Sequence, residues 1–144
     1  MTADPRPAAT DAHGSRGFRL ILTLAYGIFA LSATARSLVQ ILTEFSAAPF
    51  AFLLSLFAAL TYLALTLLMG RRRVPFTAAM TLIGIELAGV LGVGVLSIAA
   101  PQLFPRDSVW SHFGSGYGYV PLVLPLIAGS FLLVQHRRAR RLAA

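Results

Sequence analysis

FAFLLSLFAALTYLALTLLM, residues 50–69, is a run of twenty residues without a charged side chain. At about 1.5 Å per residue, an α-helix of this length crosses a hydrocarbon core of about 30 Å. The whole chain of 144 residues is 57% hydrophobic and 12% charged, which is about half the charged fraction of ordinary soluble domains. Residues 50–69 therefore predict a transmembrane helix in a chain that is solvated mostly by lipid.

Three further apolar stretches flank this helix, at about residues 18–42, 76–99 and 120–135. Together they predict an all-α integral membrane bundle of four transmembrane helices, formed by residues 18–136. Residues 1–17 are rich in Pro, Ala and Gly and show no periodicity, so we expect a disordered tail. Residues 137–144 are predicted to form a short basic tail.

The arginines are distributed asymmetrically about the predicted helices. Clusters precede the first helix, separate the second from the third and follow the fourth, whereas the other connections hold only Arg106, beside Glu44 and Asp107. The positive-inside rule then predicts that both termini are cytoplasmic and that the loop of residues 100–119 lies outside. The arginines form no basic patch with interleaved aromatics, so the net charge of +7 does not indicate nucleic-acid binding.

A cleaved signal peptide is an alternative for the N-terminal segment. Ala33-Thr34-Ala35 follows basic residues and an apolar stretch, as a cleavage site would. Against cleavage, the apolar character continues beyond this tripeptide as far as Leu42. We therefore expect the segment to remain as the first transmembrane helix.

Signatures of catalysis and of metal binding are absent from the sequence. The chain has no cysteine, no HExxH motif and no nucleophile elbow. His112 lies near Ser111 and Asp107 in the outer loop, which resembles a catalytic triad in composition only. We expect no enzymatic activity, no cofactor and no metal.

Two charged residues, Arg36 and Glu86, lie inside predicted transmembrane helices. A charge in hydrocarbon is costly, so such residues pair, line a wet cavity or bind a ligand. Helix geometry places the two residues at depths that differ by roughly 9 Å, which a leaning arginine stem could span. If they do not pair, we expect a neutral Glu86 and an Arg36 that faces an outer vestibule and an anionic partner.

Polar residues recur along one face of the first helix, at Ser32, Arg36, Gln40 and Thr43. The spacing of three and four residues places them in one row. We expect this row to point into the bundle and, with Glu86, to form an intramembrane ion pair or ligand site. On the second helix, the row of Ser55, Ala59, Tyr62 and Thr66 is typical of helix packing, with hydroxyls bonded to the backbone one turn earlier.

Small residues form a row on the third helix, at Thr81, Gly84, Ala88 and Gly92. Small residues at intervals of four allow a neighbouring backbone to approach closely. We therefore expect this face to pack against another helix, including that of a second copy or of a larger membrane-protein partner. Glu86 lies on the opposite face, with Ala79, Gly89, Val90 and Val93.

The outer loop is dense in aromatic residues and glycines. An interfacial aromatic belt at the depth of the lipid headgroups is one interpretation. Polar groups among the rings favour a second one, the binding of a sugar or lipid headgroup. The residues expected to bind are Asp107, Trp110, His112, Tyr117 and Tyr119.

Three stretches carry a resemblance, ATARSLVQILTEF at 33–45, IELAGVLGVGVLS at 85–97 and FPRDSVWSHFGSGYGYVPLVLP at 104–125. In these the chain resembles small four-span integral membrane proteins of actinobacteria. The resemblance implies a multi-pass topology and a location in the bacterial inner membrane, and it implies no activity.

Three functions are compatible with these features. The first is a non-enzymatic accessory or scaffolding protein that binds a lipid or protein partner through the outer vestibule. The alternative is a small transporter or flippase-like component that uses Arg36 and Glu86, as a dimer because four helices rarely enclose an alternating-access site. A lipid-modifying enzyme is the least supported.

Overall fold

The computed structural model describes residues 6–143, and side chains from residue 14 onward, as an all-helical chain without strands in this range. Its long helices are α1 (Arg6–Glu44), α2 (Pro49–Met69), α3 (Phe76–Ala99) and α4 (Val120–Ala143). Each of the four is long and apolar enough to cross a membrane. The predicted all-α fold with four membrane-spanning helices is confirmed.

Both outer helices are longer than the predicted membrane spans. α1 begins at Arg6, so residues 6–17 are helical where the sequence predicted a disordered tail; Pro7 lies in the first turn, where a missing N–H costs nothing. α4 continues through the predicted basic tail to Ala143, with Arg140 and Arg141 in its last turn. Positive charges at this end of a helix interact favourably with the helix dipole. Residues 1–5 and 144 of the predicted tails lie outside the described residues.

The helix termini divide the bundle into two ends. One end, called the arginine-rich end below, holds the turn of residues 70–75 and the C-terminal turns of α4. The opposite end, called the loop end, holds the short helical turn Phe45–Ala47 and the loop of residues 100–119. Pro49 lies in the first turn of α2, where its missing N–H costs nothing, and Gly70 follows the last turn of that helix.

Packing in the bundle is uneven. α1 packs most extensively against α2, and α3 contacts α2, α4 and the turn Ser111–Tyr117. Large apolar side chains cover the outward faces, among them Leu24, Ile28 and Leu31 on α1. Such a surface suits acyl chains rather than water. The inward faces of α1 and α2 meet along small and aromatic side chains, including Tyr26, Ala30, Ala59 and Tyr62.

The small-residue row on α3 does not pack inside the bundle. Thr81, Gly84, Ala88 and Gly92 are all exposed, and a Cβ added at Gly84 or Gly92 would meet no atom within 4 Å. On α3 the close approaches occur instead at Gly89 and Gly94, on other sides of the helix, where loop side chains lie against the backbone. Packing of the row against a second copy or a partner stays a prediction.

Candidate functional site

The loop at the loop end folds back into the bundle. Ser108, Val109, Trp110 and Ser111 are all buried, and Trp110 is 1% exposed. An aromatic belt at headgroup depth does not describe Trp110, because its ring lies among the helices. Of the other residues expected to bind, Asp107, His112 and Tyr119 are exposed and Tyr117 is half-buried.

Trp110 is held in place by a hydrogen bond to Tyr62 and by the absence of a side chain at Gly89. Its indole Nε1–H donates to the Tyr62 hydroxyl on α2 at 2.8 Å. Its ring lies on the backbone of Gly89, where a Cβ would be only 2.3 Å from the nearest ring carbon. Phe57 and Tyr62 meet the same ring edge-on, at centroid distances of 6.0 and 6.5 Å. Glycine at position 89 therefore makes room for the indole.

Two serines on the helices bind the backbone of the loop. Ser55 Oγ on α2 accepts the N–H of Val109 at 3.2 Å, and Ser97 Oγ on α3 accepts the N–H of His112 at 2.8 Å. Each serine also donates to a carbonyl of its own helix. Irregular backbone is tolerated at membrane depth only where its polar groups are satisfied by protein or water. These serines supply that satisfaction.

The backbone after Trp110 is strained. His112, Phe113 and Gly114 have φ values of 50°, 59° and 77°. Non-glycine residues seldom adopt this left-handed region, and such strain persists only when the surroundings enforce it. The enforcing contact is the seating of the Phe113 ring against Gly94, where a Cβ would be 2.5 Å from a ring carbon.

Glu86 lies fully buried in the centre of the bundle. Its Oε2 accepts a hydrogen bond from the Tyr26 hydroxyl on α1 at 2.8 Å. Its Oε1 is buried with no hydrogen-bond partner among the described residues. The Tyr26 and Tyr62 rings are 6.3 Å apart, so the carboxyl group and Trp110 belong to one cluster, called the central cluster below and formed by Tyr26, Tyr62, Glu86 and Trp110.

Arg36 has different partners from Glu86. Its guanidinium donates to the backbone carbonyl of Asp107 at 3.1 Å and to the Tyr117 hydroxyl at 3.4 Å. Arg36 and Glu86 therefore do not form the direct ion pair that the sequence allowed. The reason is depth, because Glu86 lies level with Tyr26, which is about 15 Å from Arg36 along α1 at 1.5 Å per residue.

The positive charge of Arg36 has no carboxylate partner among the described side chains. The nearby acids are engaged elsewhere, since Glu44 pairs with Arg106 at 3.3 Å and Asp107 lies 3.5 Å from His112. A guanidinium stays protonated in proteins. The loop end therefore carries a half-buried, fixed positive charge that is held in place by neutral groups.

The polar row predicted on α1 is only partly turned inward. Arg36 and Gln40 are half-buried, but Ser32 and Thr43 are exposed. The buried face of α1 is instead that of Tyr26 and Ser37. Ser37 Oγ and Gln40 Oε1 are buried without a hydrogen-bond partner among the described residues.

Sequence reasoning missed Tyr26 as a site residue and assigned Tyr62 to packing alone. The serine and threonine of that α2 row do bond to the backbone one turn earlier, as predicted. Tyr26, Ala30, Ala33 and Ser37 follow helical spacing, and that pattern could have indicated the buried face of α1.

Ser111 and His112 have separate partners in the loop. Ser111 Oγ is bonded to the backbone and hydroxyl of Ser108, while His112 faces Asp107. Among the described residues, no three of His, Cys, Asp and Glu lie close enough together to hold a metal ion.

Comparison with protein-family models, with curated proteins and with solved structures finds no match to this chain.

Proposed function

We propose that this protein is a non-enzymatic integral membrane protein that binds an anionic lipid headgroup at its loop end, through Arg36. The observation that carries the proposal is the half-buried guanidinium without a carboxylate partner among the described side chains. Arginine binds phosphate through parallel N–H···O bonds. A headgroup phosphate supplies the missing negative charge.

The geometry around Arg36 supports binding from the loop end. Among the described residues, two hydrogen bonds occupy the guanidinium, so N–H donors remain for an anion. Arg36 is about 12 Å from the end of α1 at 1.5 Å per residue, a depth from which long basic side chains reach headgroups.

The proposal includes the topology and location expected from the sequence. The arginine clusters favour a cytoplasmic arginine-rich end and an outward loop end. We place the protein in a bacterial plasma membrane as a multi-pass protein with both termini inside. It would act as an accessory or scaffolding subunit, and the exposed small-residue row of α3 is the surface offered to a second copy or a larger partner.

The matched pair Arg36→Gln and Arg106→Gln tests this function. Arg106 is also at the loop end, but it is exposed and paired with Glu44. In nanodiscs of phosphatidylcholine doped with phosphatidylglycerol, we expect native mass spectrometry to show retained phosphatidylglycerol for the wild type and Arg106→Gln. Arg36→Gln should retain fewer phosphatidylglycerol molecules per protein, and Arg36→Lys should retain an intermediate number.

Trp110 is the only tryptophan, so its emission reports whether each variant keeps the loop seated. Equal retention of phosphatidylglycerol by the wild type and a folded Arg36→Gln variant would contradict the proposal. If Arg36→Gln fails to fold, the same comparison is made with Arg36→Lys, whose charge is kept but whose planar donors are lost. Unchanged retention there contradicts recognition by the guanidinium fork.

A small transporter or flippase-like component is the second candidate, and the central cluster favours it. Glu86 has a carboxyl oxygen without a partner among the described residues, and intramembrane carboxyl groups mark proton and substrate pathways. Trp110 lies against Gly89, one turn closer to the loop end than Glu86, where it separates the carboxyl group from that end. In proteoliposomes with an internal pH dye, Glu86→Gln should abolish a flux that the wild type supports; a wild type without flux removes this candidate.

A further inference from the structure

An open apolar groove runs along the outward face of α4, and Phe18 of α1 completes its lining. It has a volume of about 510 Å³. Phe18 of α1 meets Phe131 of α4 with ring centroids 4.8 Å apart, and Ser130 is the one hydroxyl residue of the lining. The apolar lining consists of Phe18, Val123, Leu126, Ile127, Phe131 and Val134. This groove belongs neither to the central cluster nor to the Arg36 site.

The length of the groove matches one leaflet of a bilayer. From Val123 to Val134 the α4 backbone rises about 16 Å at 1.5 Å per residue. Half of a hydrocarbon core of about 30 Å is about 15 Å. An acyl chain from the leaflet at the arginine-rich end therefore fits along the groove from one end to the other.

A basic cavity continues the groove at the arginine-rich end. Val134 lines both spaces, and the second one, of about 200 Å³, is completed by Arg137, Arg138 and Arg141. All three arginines are exposed, and none forms an ion pair with a described acid. α4 contains no Asp or Glu. The cavity thus places uncompensated positive charge where the headgroup of a lipid in the groove would lie.

We propose that the groove and the basic cavity together form a binding site for one anionic phospholipid of the leaflet at the arginine-rich end. The acyl chain lies along α4 beside Phe18 of α1, and the phosphate lies on Arg137, Arg138 and Arg141. Basic pockets between transmembrane helices recognise phosphate headgroups in this way. A second copy of the chain is a poorer occupant, because it would bring the same arginines against these.

The charge test uses two triple variants that remove equal charge from the same end. In Arg137→Gln/Arg138→Gln/Arg141→Gln the proposed site is neutral, whereas Arg71→Gln/Arg72→Gln/Arg73→Gln changes the exposed α2–α3 turn, which does not line the groove. Both are made in the Arg36→Gln background, so the loop-end site contributes nothing and the two proposals fail separately.

The readout is the phosphatidylglycerol retained by protein purified from phosphatidylcholine nanodiscs doped with phosphatidylglycerol. The loss of one charge-assisted hydrogen bond to phosphate lowers affinity by about tenfold or more, so we expect a loss of at least about a hundredfold for the α4 triple variant. The turn variant should retain lipid like its parent. Equal loss in both variants indicates general attraction to the surface, and equal retention in both indicates no site; either result overturns the proposal.

The groove itself is tested by Ser130→Phe, which fills it without changing charge. Leu133→Phe is the matched control, since Leu133 is 38% exposed on the same helix but does not line the groove. Ser130→Phe should weaken phosphatidylglycerol retention, and Leu133→Phe should not. If both variants retain lipid like the parent, the acyl chain does not occupy the groove and the site as proposed is refuted.

Discussion

The seat of Trp110 on Gly89 makes a sharp prediction about a single methyl group. In Gly89→Ala, the added Cβ would lie 2.3, 2.7 and 2.8 Å from three carbons of the indole ring. Carbon atoms in contact are separated by about 3.5–4.0 Å, so the ring must shift by more than about 1 Å. It cannot make that shift and keep its 2.8 Å hydrogen bond to Tyr62.

The magnitude follows from three contributions to the free energy of unfolding, two that lower it and one that raises it. Overpacking a buried site costs about 1–3 kcal/mol. A buried indole N–H without its acceptor costs about 1–3 kcal/mol. Alanine in place of glycine in a helix returns up to about 1 kcal/mol. We therefore expect Gly89→Ala to destabilise the protein by about 1–6 kcal/mol.

Gly84→Ala is the matched control, because it makes the same change on the same helix with no atom within 4 Å of the new Cβ. It should leave stability unchanged or raise it by up to about 1 kcal/mol. Both variants are compared by denaturation in mixed micelles, followed through the emission of Trp110. Gly89→Ala should also shift that emission to the red before unfolding. Equal stability and identical emission in the two variants would refute the seating of Trp110 on Gly89.

Two more changes probe the contacts that hold the cluster and the loop. Tyr26→Phe leaves the Glu86 carboxyl group without its described donor, so the free energy of unfolding in mixed micelles should fall by about 1–3 kcal/mol. A decrease no larger than that caused by an exposed substitution contradicts the role of this hydrogen bond. Ser97→Ala leaves the N–H of His112 without its acceptor, which should lower the free energy of unfolding by a similar amount and raise hydrogen exchange at that amide. Thr81→Ala is the control, because it removes an exposed hydroxyl bonded within its own helix. It should change neither the stability nor the exchange of the His112 amide.

The loop of residues 100–119 contacts both Arg36 and the central cluster. Its Asp107 carbonyl and Tyr117 hydroxyl hold Arg36, while its Trp110 closes the central cluster. The same segment carries backbone strain at His112 and Phe113.

Individual residues mark how far sequence reasoning reached into the site. The polarity of Arg36 and Glu86 in apolar runs identified both as unusual, because charge in hydrocarbon is costly. Their partners could not be predicted, since Tyr26 and Glu86 are separated by sixty positions in sequence. The glycine row at Gly84 and Gly92 predicted close packing, yet the close contacts formed at Gly89 and Gly94, because the loop rather than a helix packs on α3 there.

The amino-acid sequence alone determined the four membrane-spanning helices, because their length and hydropathy are set locally and lipid requires every backbone group in a span to be bonded within its own helix. Tertiary structure alone decided that Arg36 and Glu86 lie apart, that the aromatic loop enters the bundle, and that α1 turns Tyr26 inward. Those outcomes depend on which helix faces meet, and that choice is made by contacts between residues far apart in the chain.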